Sequence, residues 1–183
     1  MQTTTRINGI DTQALTDLVE RIKADPKQGM TRFAVTTTWK GGARSDSRVK
    51  GWSLGGVHKP KDFTLCVDEP RELLGTNQFA NPQEYLFAAV NSCLMATFVA
   101  AASVNAIELR SLSIETEGDI DLRGFLAIDA RVVPGYESVR CTFHVDADAT
   151  DKQLADILEF VRKTSPNYYN LAKPVRIDAK LAS

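Results

Sequence analysis

The stretch NPQEYLFAAVNSCLMATFVAA, residues 81–101, decides the fold of this chain. Asn81 is a favourable helix N-cap, and Pro82 suits the first helical turn because its missing N–H is not needed there. Small and apolar side chains then cover most of the helix circumference as far as about Ala106. A helix that is apolar on nearly every side is predicted to be central and buried.

A single thiol, Cys93, lies in the middle of this predicted helix. A free cysteine usually packs as a small hydrophobic residue. Only the thiolate is reactive, and apolar surroundings keep a thiol protonated unless a nearby cation or donor stabilises its charge. From the residues alone, Cys93 is therefore either a packing residue or a nucleophile.

The composition excludes several classes of function. With 183 residues, 43% of them hydrophobic, the chain can form one sizeable core. Its 22 basic and 23 acidic residues give a net charge of −1, so the chain lacks the excess of positive charge that is typical of nucleic-acid-binding proteins. Polar residues interrupt the apolar run around Cys93, and the N-terminus does not read as a secretory signal. We expect a soluble cytoplasmic protein that binds neither nucleic acid nor membrane.

The cysteines and histidines are too scattered for a metal site. Cys66, Cys93 and Cys141 form no CxxC pair, and His58 and His144 are isolated from them in sequence. Widely spaced thiols also argue against a disulfide framework. We therefore predict no metal and no cofactor.

The chain divides into a predicted helical arm, residues 1–30, and a main domain, residues 31–183. The arm has one apolar stripe at helical spacing, formed by Leu15, Leu18, Val19 and Ile22. Such a helix is marginal in water by itself, so it is expected to dock on the main domain or on another subunit.

In the main domain, the spacing of hydrophobic residues alternates between a period of two, which is typical of strands, and a period of 3.6, which is typical of helices. Strands are predicted in TRFAVTTTWK and KDFTLCVD before the central helix, and in LRSLSIETEGDIDL, FLAIDARVV, ESVRCTFHVDAD and PVRIDAKL after it. Cys141 is in phase with Phe143, so it is predicted to lie in the core. A second helix is predicted from about Thr150 to Ser165. The order predicts an α+β fold with helices against antiparallel sheet.

Three stretches, GTNQFANPQEYLFAAVNSCL, GDIDLRGFLAID and TSPNYYNLAKPV, resemble the OsmC/Ohr family of thiol-dependent peroxidases. The resemblance covers roughly residues 31 to 182. It implies an OsmC-like fold, with antiparallel sheets around two buried central helices in an intertwined homodimer, and active sites at the subunit interface. It places Cys93 at the position of the peroxidatic cysteine, which attacks a peroxide and becomes a sulfenic acid.

The resemblance also implies an arginine that stabilises the thiolate and a glutamate that binds this arginine. In KGGARSDSR, Arg44 is the best match and Arg48 the alternative. The glutamate position holds Gln83, and Glu84 follows one residue later. A glutamine can accept a hydrogen bond but brings no charge. Glu84 is a candidate for the catalytic carboxylate only if the first turn is irregular, and the favoured interpretation is a first-turn acid that complements the helix dipole.

A second departure from the family pattern is Ser165, which occupies the position of the resolving cysteine. Without that thiol, an external thiol must regenerate an oxidised Cys93. Nearby aromatic residues have two interpretations: an apolar substrate pocket, or packing in the core and at the dimer contact. These residues are Phe87, Tyr168 and Tyr169.

Two functions remain open on this basis. The first is a one-cysteine peroxidase that reduces organic hydroperoxides or hydrogen peroxide through Cys93. The alternative is a non-catalytic dimer that binds a small apolar ligand, with Cys93 as a packing residue or redox sensor. An acyl-transfer or thioester enzyme ranks last, because no histidine base lies near the helix in sequence.

Overall fold

The computed structural model describes residues 6–182, and it has the predicted α+β class. Its contacts divide the described chain into two compact units, residues 6 and 11–86 in the first and residues 7–10 and 87–182 in the second. The predicted boundary at residue 30 stays a prediction.

The chain enters through a two-stranded hairpin formed by β1 (Arg6–Ile7) and β2 (Ile10–Asp11). Asn8 and Gly9, at its tip, have φ angles of 52° and 78°. An Asn-Gly pair adopts this left-handed conformation readily. Helix α1 (Thr12–Ala24) follows, capped by the Asp11 carboxylate. This helix was predicted within the arm, but none of its side chains is buried in the part of the chain that the structure describes.

The first unit contains a four-stranded antiparallel sheet of β3 (Thr31–Phe33), β4 (Thr36–Trp39), β5 (Ser45–Leu54) and β6 (Val57–Val67). Strand β5 pairs with all three others. The predicted strands therefore form, but TRFAVTTTWK is divided into β3 and β4, and β5 was not predicted. Several of their large apolar side chains remain exposed, namely Phe33, Trp39, Phe63 and Leu65, and so does Val35 between β3 and β4.

The second unit is built on α2 (Pro82–Val104), which begins in the first unit. Strands β7 (Leu109–Glu117) and β8 (Arg140–Ala147) form an antiparallel pair. Helix α4 (Asp151–Thr164) follows β8, and α5 (Pro166–Ala172) follows directly. The core joins one side of α2 to α4 through Val90, Leu94, Phe98, Ala101, Ala102, Ile107, Ile157 and Val161.

Helix α2 is buried on one side only, whereas burial around its circumference was predicted. Ala88, Ser92 and Ala96 are exposed within the chain. By length and composition α2 could cross a membrane. A core helix has the same character, and its buried side does form the core of the second unit.

Two predicted strands are absent from the described residues. The segment FLAIDARVV instead begins at the last residue of a short helix, α3 (Leu122–Phe125), and then continues in turns. The Asp121 carboxylate caps this helix at the Arg123 amide, which starts a helical turn rather than a strand. PVRIDAKL pairs with no described strand, and Ile177 is 85% exposed. Alternation alone does not form a strand where no sheet edge of the same chain is available.

Cys141 was wrongly predicted to lie in the core. It is exposed and pairs with Thr116 near one end of the β7–β8 ladder. Phe143 and Val145, further along β8, pack against the core cluster. By alternation, Cys141 is on the same face of β8 as Phe143, as predicted, but the core cluster does not extend as far as Cys141.

Candidate functional site

The structure brings Cys93 and Ser165 together. The Ser165 hydroxyl lies 3.4 Å from the Cys93 sulfur and donates a hydrogen bond to it. Ser165 is only 1% exposed, and Cys93 is half-buried. The residue at the resolving position thus contacts the residue at the nucleophile position as a hydroxyl donor.

The junction between α4 and α5 fixes the position of Ser165. Its backbone N–H binds the Val161 carbonyl at the end of α4, and Pro166 starts α5 immediately afterwards. A serine before a helix usually caps the helix through its side chain. Ser165 makes no such cap bond. Its side-chain oxygen is directed to the sulfur instead.

Further contacts hold α2 in place around Cys93. The Asn167 amide donates to the Ala89 carbonyl at 2.9 Å, which ties α5 to α2. On the side of β7, the Asn91 amide donates to the Ile114 carbonyl at 3.1 Å, and the Thr116 hydroxyl donates to Asn91. Asn91 and Asn167 were not identified from the sequence, because the sequence does not show which groups the polar side chains of a helix will bind.

The aromatic residues predicted to line a pocket separate into two groups. Phe87 packs against Tyr136, with ring centroids 5.0 Å apart, and burial raises the pKa of Tyr136. Tyr168 and Tyr169 are 37% and 62% exposed. Within the described chain, Phe87 therefore has an aromatic partner that was not predicted, and the two tyrosines form part of the surface.

In the first unit, Arg44 follows the Gly41–Gly42 turn, as the sequence indicates. Its guanidinium lies 4.9 Å from the centre of the Phe79 ring and 4.0 Å from the Asp46 carboxylate. The Arg44 Nε and one Asp46 oxygen are buried and have no hydrogen-bond partner among the described residues. Arg44 thus retains a free donor, held between a carboxylate and an aromatic ring that the sequence analysis missed.

Arg48, the alternative arginine, has a different environment. It binds both oxygens of Asp62 at 2.9 and 2.6 Å, and both side chains are largely exposed. The Arg48 hydrogen bond lowers the pKa of the Asp62 carboxyl. With its Nε and one Nη engaged in a two-pronged ion pair, Arg48 is less available than Arg44.

Glu84 and Asn81 form a reciprocal cap at the start of α2. The Asn81 N–H donates to the Glu84 carboxylate at 2.7 Å, and the Glu84 N–H donates to the Asn81 side chain at 2.9 Å. Such a pair satisfies two amides that the helix leaves free. The Gln83 side chain is exposed and makes no hydrogen bond to any described residue. The structure therefore brings neither Gln83 nor Glu84 into a hydrogen bond with Arg44.

The loop before α2 is organised around a buried carboxylate, Asp68. It accepts hydrogen bonds from the Thr76 hydroxyl and amide and from the amides of Gln78 and Glu69. The Thr76 hydroxyl bond is the main cause that lowers the Asp68 pKa to about 2, and the amide bonds add to it against the effect of burial. This loop leads directly to Phe79, so Asp68 helps to position the ring beside Arg44.

Comparison with known proteins assigns the family. The model of the OsmC-like protein family matches residues 75–180. The chain belongs to the OsmC-like family. The matched range includes α2 with Cys93, Ser165 and α5. Arg44 precedes the matched range. No curated protein matches the chain.

Solved structures of OsmC-like proteins share the fold. A crystal structure of an OsmC-like protein from Mycoplasma pneumoniae is 14% identical, with a TM-score of 0.62 over 77% of this chain and 87% of that chain. An OsmC-like protein of unknown function from Vibrio cholerae is 15% identical, with a TM-score of 0.55 over 76% of this chain and 92% of that chain. These similarities establish the fold, and the chemistry has to be argued from the site.

The OsmC-like site described here has the groups for thiol chemistry. Within residues 6–182, no cluster of three or more His, Cys, Asp or Glu side chains could hold a metal ion. The site's candidate nucleophile is the half-buried Cys93 thiol, whose sulfur accepts a hydrogen bond from the buried Ser165 hydroxyl.

Proposed function

We propose that this protein is a thiol-dependent peroxidase with one active thiol, Cys93, which reduces organic hydroperoxides or hydrogen peroxide. The observation that carries the proposal is the buried Ser165 hydroxyl, which donates to the Cys93 sulfur. The family and its fold are consistent with this chemistry. The peroxidase activity itself is the proposal.

The reaction has two half-cycles. The Cys93 thiolate attacks one peroxide oxygen, the O–O bond breaks, and an alcohol or water leaves after taking a proton, so that Cys93 becomes a sulfenic acid. A first external thiol then forms a mixed disulfide with Cys93 and releases water. A second external thiol attacks this disulfide, which restores the reduced Cys93 and yields a disulfide between the two external thiols.

Ser165 determines which kind of peroxidase this is. Its hydroxyl stabilises negative charge on sulfur, as a donor to a charged acceptor does. It cannot form a disulfide, so the sulfenic acid persists until the external thiol arrives. We infer that an external thiol replaces the internal resolving cysteine.

Arg44 is the cation proposed to act on the peroxide. The geometry that supports this role is its free Nε, held beside Asp46 and Phe79, whereas Arg48 is engaged with Asp62. Asp46 then provides the carboxylate that Gln83 lacks. Arg44 and Cys93 belong to different compact units. Their proximity is therefore part of the proposal.

A homodimer is the assembly proposed for the active protein. Apolar groups that a folded chain normally covers remain exposed here, including Phe33 at 71% and Trp39 at 74%. Helix α1 has no buried side chain within the described chain, and one side of α2 carries exposed small residues. A second copy of this chain would cover these surfaces, and we place the peroxide site at that contact.

The alternative is a non-catalytic dimer that binds a small apolar ligand. The observation that favours it is the exposed, unpartnered Gln83, since the resemblance implies a carboxylate there. In that case Cys93 is a packing residue or a redox sensor. The two functions differ in whether peroxide is consumed catalytically.

The test is peroxide consumption by the full chain with a small dithiol as reductant. Cys93→Ser should abolish turnover, because it removes the only thiol that contacts Ser165. Cys66→Ser and Cys141→Ser are the matched controls, and both should retain wild-type rates. Turnover that survives Cys93→Ser, or that either control abolishes, would overturn the single-thiol mechanism. Absence of turnover in the wild type would favour the ligand-binding alternative.

A further inference from the structure

Two hydrogen bonds connect α2 with the segment that follows α4, and they lie one helical turn apart. The Ser165 hydroxyl donates to the Cys93 sulfur, and two residues later the Asn167 amide donates to the Ala89 carbonyl at 2.9 Å. Ala89 precedes Cys93 on α2 by about 6 Å, since a helix rises about 1.5 Å per residue. The bond between Asn167 and Ala89, whose role is unassigned, is therefore the neighbour of the thiol contact.

The Ala89 carbonyl belongs to the backbone hydrogen bond that holds Cys93 in the helix. In an α-helix each carbonyl accepts from the N–H four residues later, which pairs Ala89 with Cys93. A carbonyl oxygen has two lone pairs, so it can accept from Asn167 as well. In the next turn, the Thr97 hydroxyl donates to the Cys93 carbonyl at 2.9 Å. Asn167 thus shares its acceptor with the N–H of the candidate nucleophile.

Asn167 is the polar attachment of α5 to α2. Among residues 6–182, it makes the one hydrogen bond from a side chain of α5 to α2, and no side chain of α5 is buried. The Asn170 amide donates to the Asn167 side-chain oxygen at 3.4 Å, which directs the Asn167 NH2 group to Ala89. In contrast, Ile157 and Val161 are buried and hold α4 by packing. The position of α5 against α2 therefore depends on the Asn167 bond.

The Ser165 side chain has an alternative to the sulfur. Ser165 is the N-cap of α5, with φ −71° and ψ 121°, which is the extended conformation usual for a capping serine. A capping oxygen normally accepts from an amide of the first turn, here that of Asn167 or Tyr168. Within the described chain Ser165 makes no such bond, and its hydroxyl donates to Cys93. The sulfur contact thus replaces an available cap.

We propose that Asn167 is a positioning residue for Cys93: by attaching α5 to the Ala89 carbonyl, it keeps the Ser165 hydroxyl on the sulfur and out of the cap. Without this attachment the start of α5 can move away from α2, and Ser165 then caps α5 instead. The inference rests on the proposed function, because it takes Cys93 as the reactive thiol. Its test needs no peroxide, so the two proposals can fail separately.

The test is the rate at which iodoacetamide alkylates Cys93 in the full chain, measured by mass spectrometry from neutral to alkaline pH. Asn167→Ala should slow this reaction about fivefold, and its pH profile should have the shape found for Ser165→Ala, because both lose the same hydroxyl contact. Asn167→Gln retains an amide donor and should recover most of the wild-type rate. The matched control is Asn105→Ala, which should react like wild type: the Asn105 amide also donates to a carbonyl of α2, that of Ala101 at 2.8 Å, without involving α5.

The double variant distinguishes positioning from general support of the fold. If Asn167 acts through the hydroxyl, adding Asn167→Ala to Ser165→Ala should slow alkylation no further. The same slowing in both backgrounds would overturn the positioning role, as would a wild-type rate for Asn167→Ala or an Asn167→Gln variant as slow as Asn167→Ala. Thermal unfolding of each variant separates loss of this contact from loss of the fold. The expected pattern in a protein that consumes no peroxide would support the positioning role and refute the peroxidase.

Discussion

At the scale of single residues, the contact between Ser165 and Cys93 is the feature that gives the chain its proposed chemistry. Ser165 is buried where two helices meet, and its hydroxyl has the sulfur as its hydrogen-bond acceptor. A buried hydroxyl without a partner is costly, so the contact favours a fixed orientation of both side chains. A change at residue 165 should therefore alter the reactivity of Cys93 more than the fold.

Ser165→Ala should slow the reaction of Cys93 with peroxide about tenfold at pH 7, because a donor to the thiolate is lost. The measurement is the single-turnover rate of sulfenic acid formation. Ser113→Ala is the control, since Ser113 is exposed on β7 and belongs to none of the surfaces assigned to the dimer contact. Equal rates for Ser165→Ala and wild type would contradict a role for the hydroxyl. Ser165→Cys tests the geometry separately, because oxidation should then link residues 93 and 165.

At the scale of elements, the segment from Asp68 to the start of α2 is defined by polar side chains that bind backbone amides. Asp68 organises the loop, and Asn81 and Glu84 cap the helix reciprocally. These bonds fix the entry into α2 and place Phe79 beside Arg44. The loop should consequently respond to protonation of its central carboxylate.

The stability of the protein should fall in acid partly through Asp68. Its pKa is about 2 in the folded state, below the ordinary value of about 3.9 for an unfolded chain. A depressed pKa contributes stability above the unfolded value, and that contribution is lost as pH falls from about 4 to about 2. Asp68→Asn should reduce stability at neutral pH and flatten this acid-dependent loss. Chemical unfolding at several pH values measures both, and an unchanged slope would exclude Asp68 as a contributor.

At the scale of the whole molecule, the exposed apolar surfaces predict a homodimer. The substitution that tests the α2 surface is Ala96→Arg, which puts a large charged group on the exposed side of this helix. Analytical ultracentrifugation of the wild type should give about twice the chain mass of 20.1 kDa. Ala96→Arg should shift the population towards monomer. Ala155→Arg, on the exposed side of α4, is the control and should remain dimeric; a monomeric wild type would contradict the assembly.

The sequence predicted the elements whose signals are local. Helix α4 starts at the Thr150 cap and buries Ile157 and Val161 as its periodicity indicates. The failures concern partners at a distance. The end segment PVRIDAKL alternates like a strand but finds no sheet edge in its own chain, and Cys141 has the right phase but no covering layer. In the candidate site, Cys93 and Ser165 could be identified from the sequence. The roles of Asp46, Phe79 and Tyr136 depend on contacts between distant parts of the chain, which a local sequence pattern does not show.

The measurement that tests the central claim most directly is stopped-flow oxidation of the fully reduced protein by an organic hydroperoxide, followed by mass spectrometry of Cys93. The proposed mechanism predicts rapid formation of a sulfenic acid on Cys93, far faster than oxidation of free cysteine at the same pH, and none on Cys66 or Cys141. Oxidation of Cys93 at the rate of free cysteine would contradict it, and would leave a member of the OsmC-like family that has kept the fold without the peroxidase chemistry.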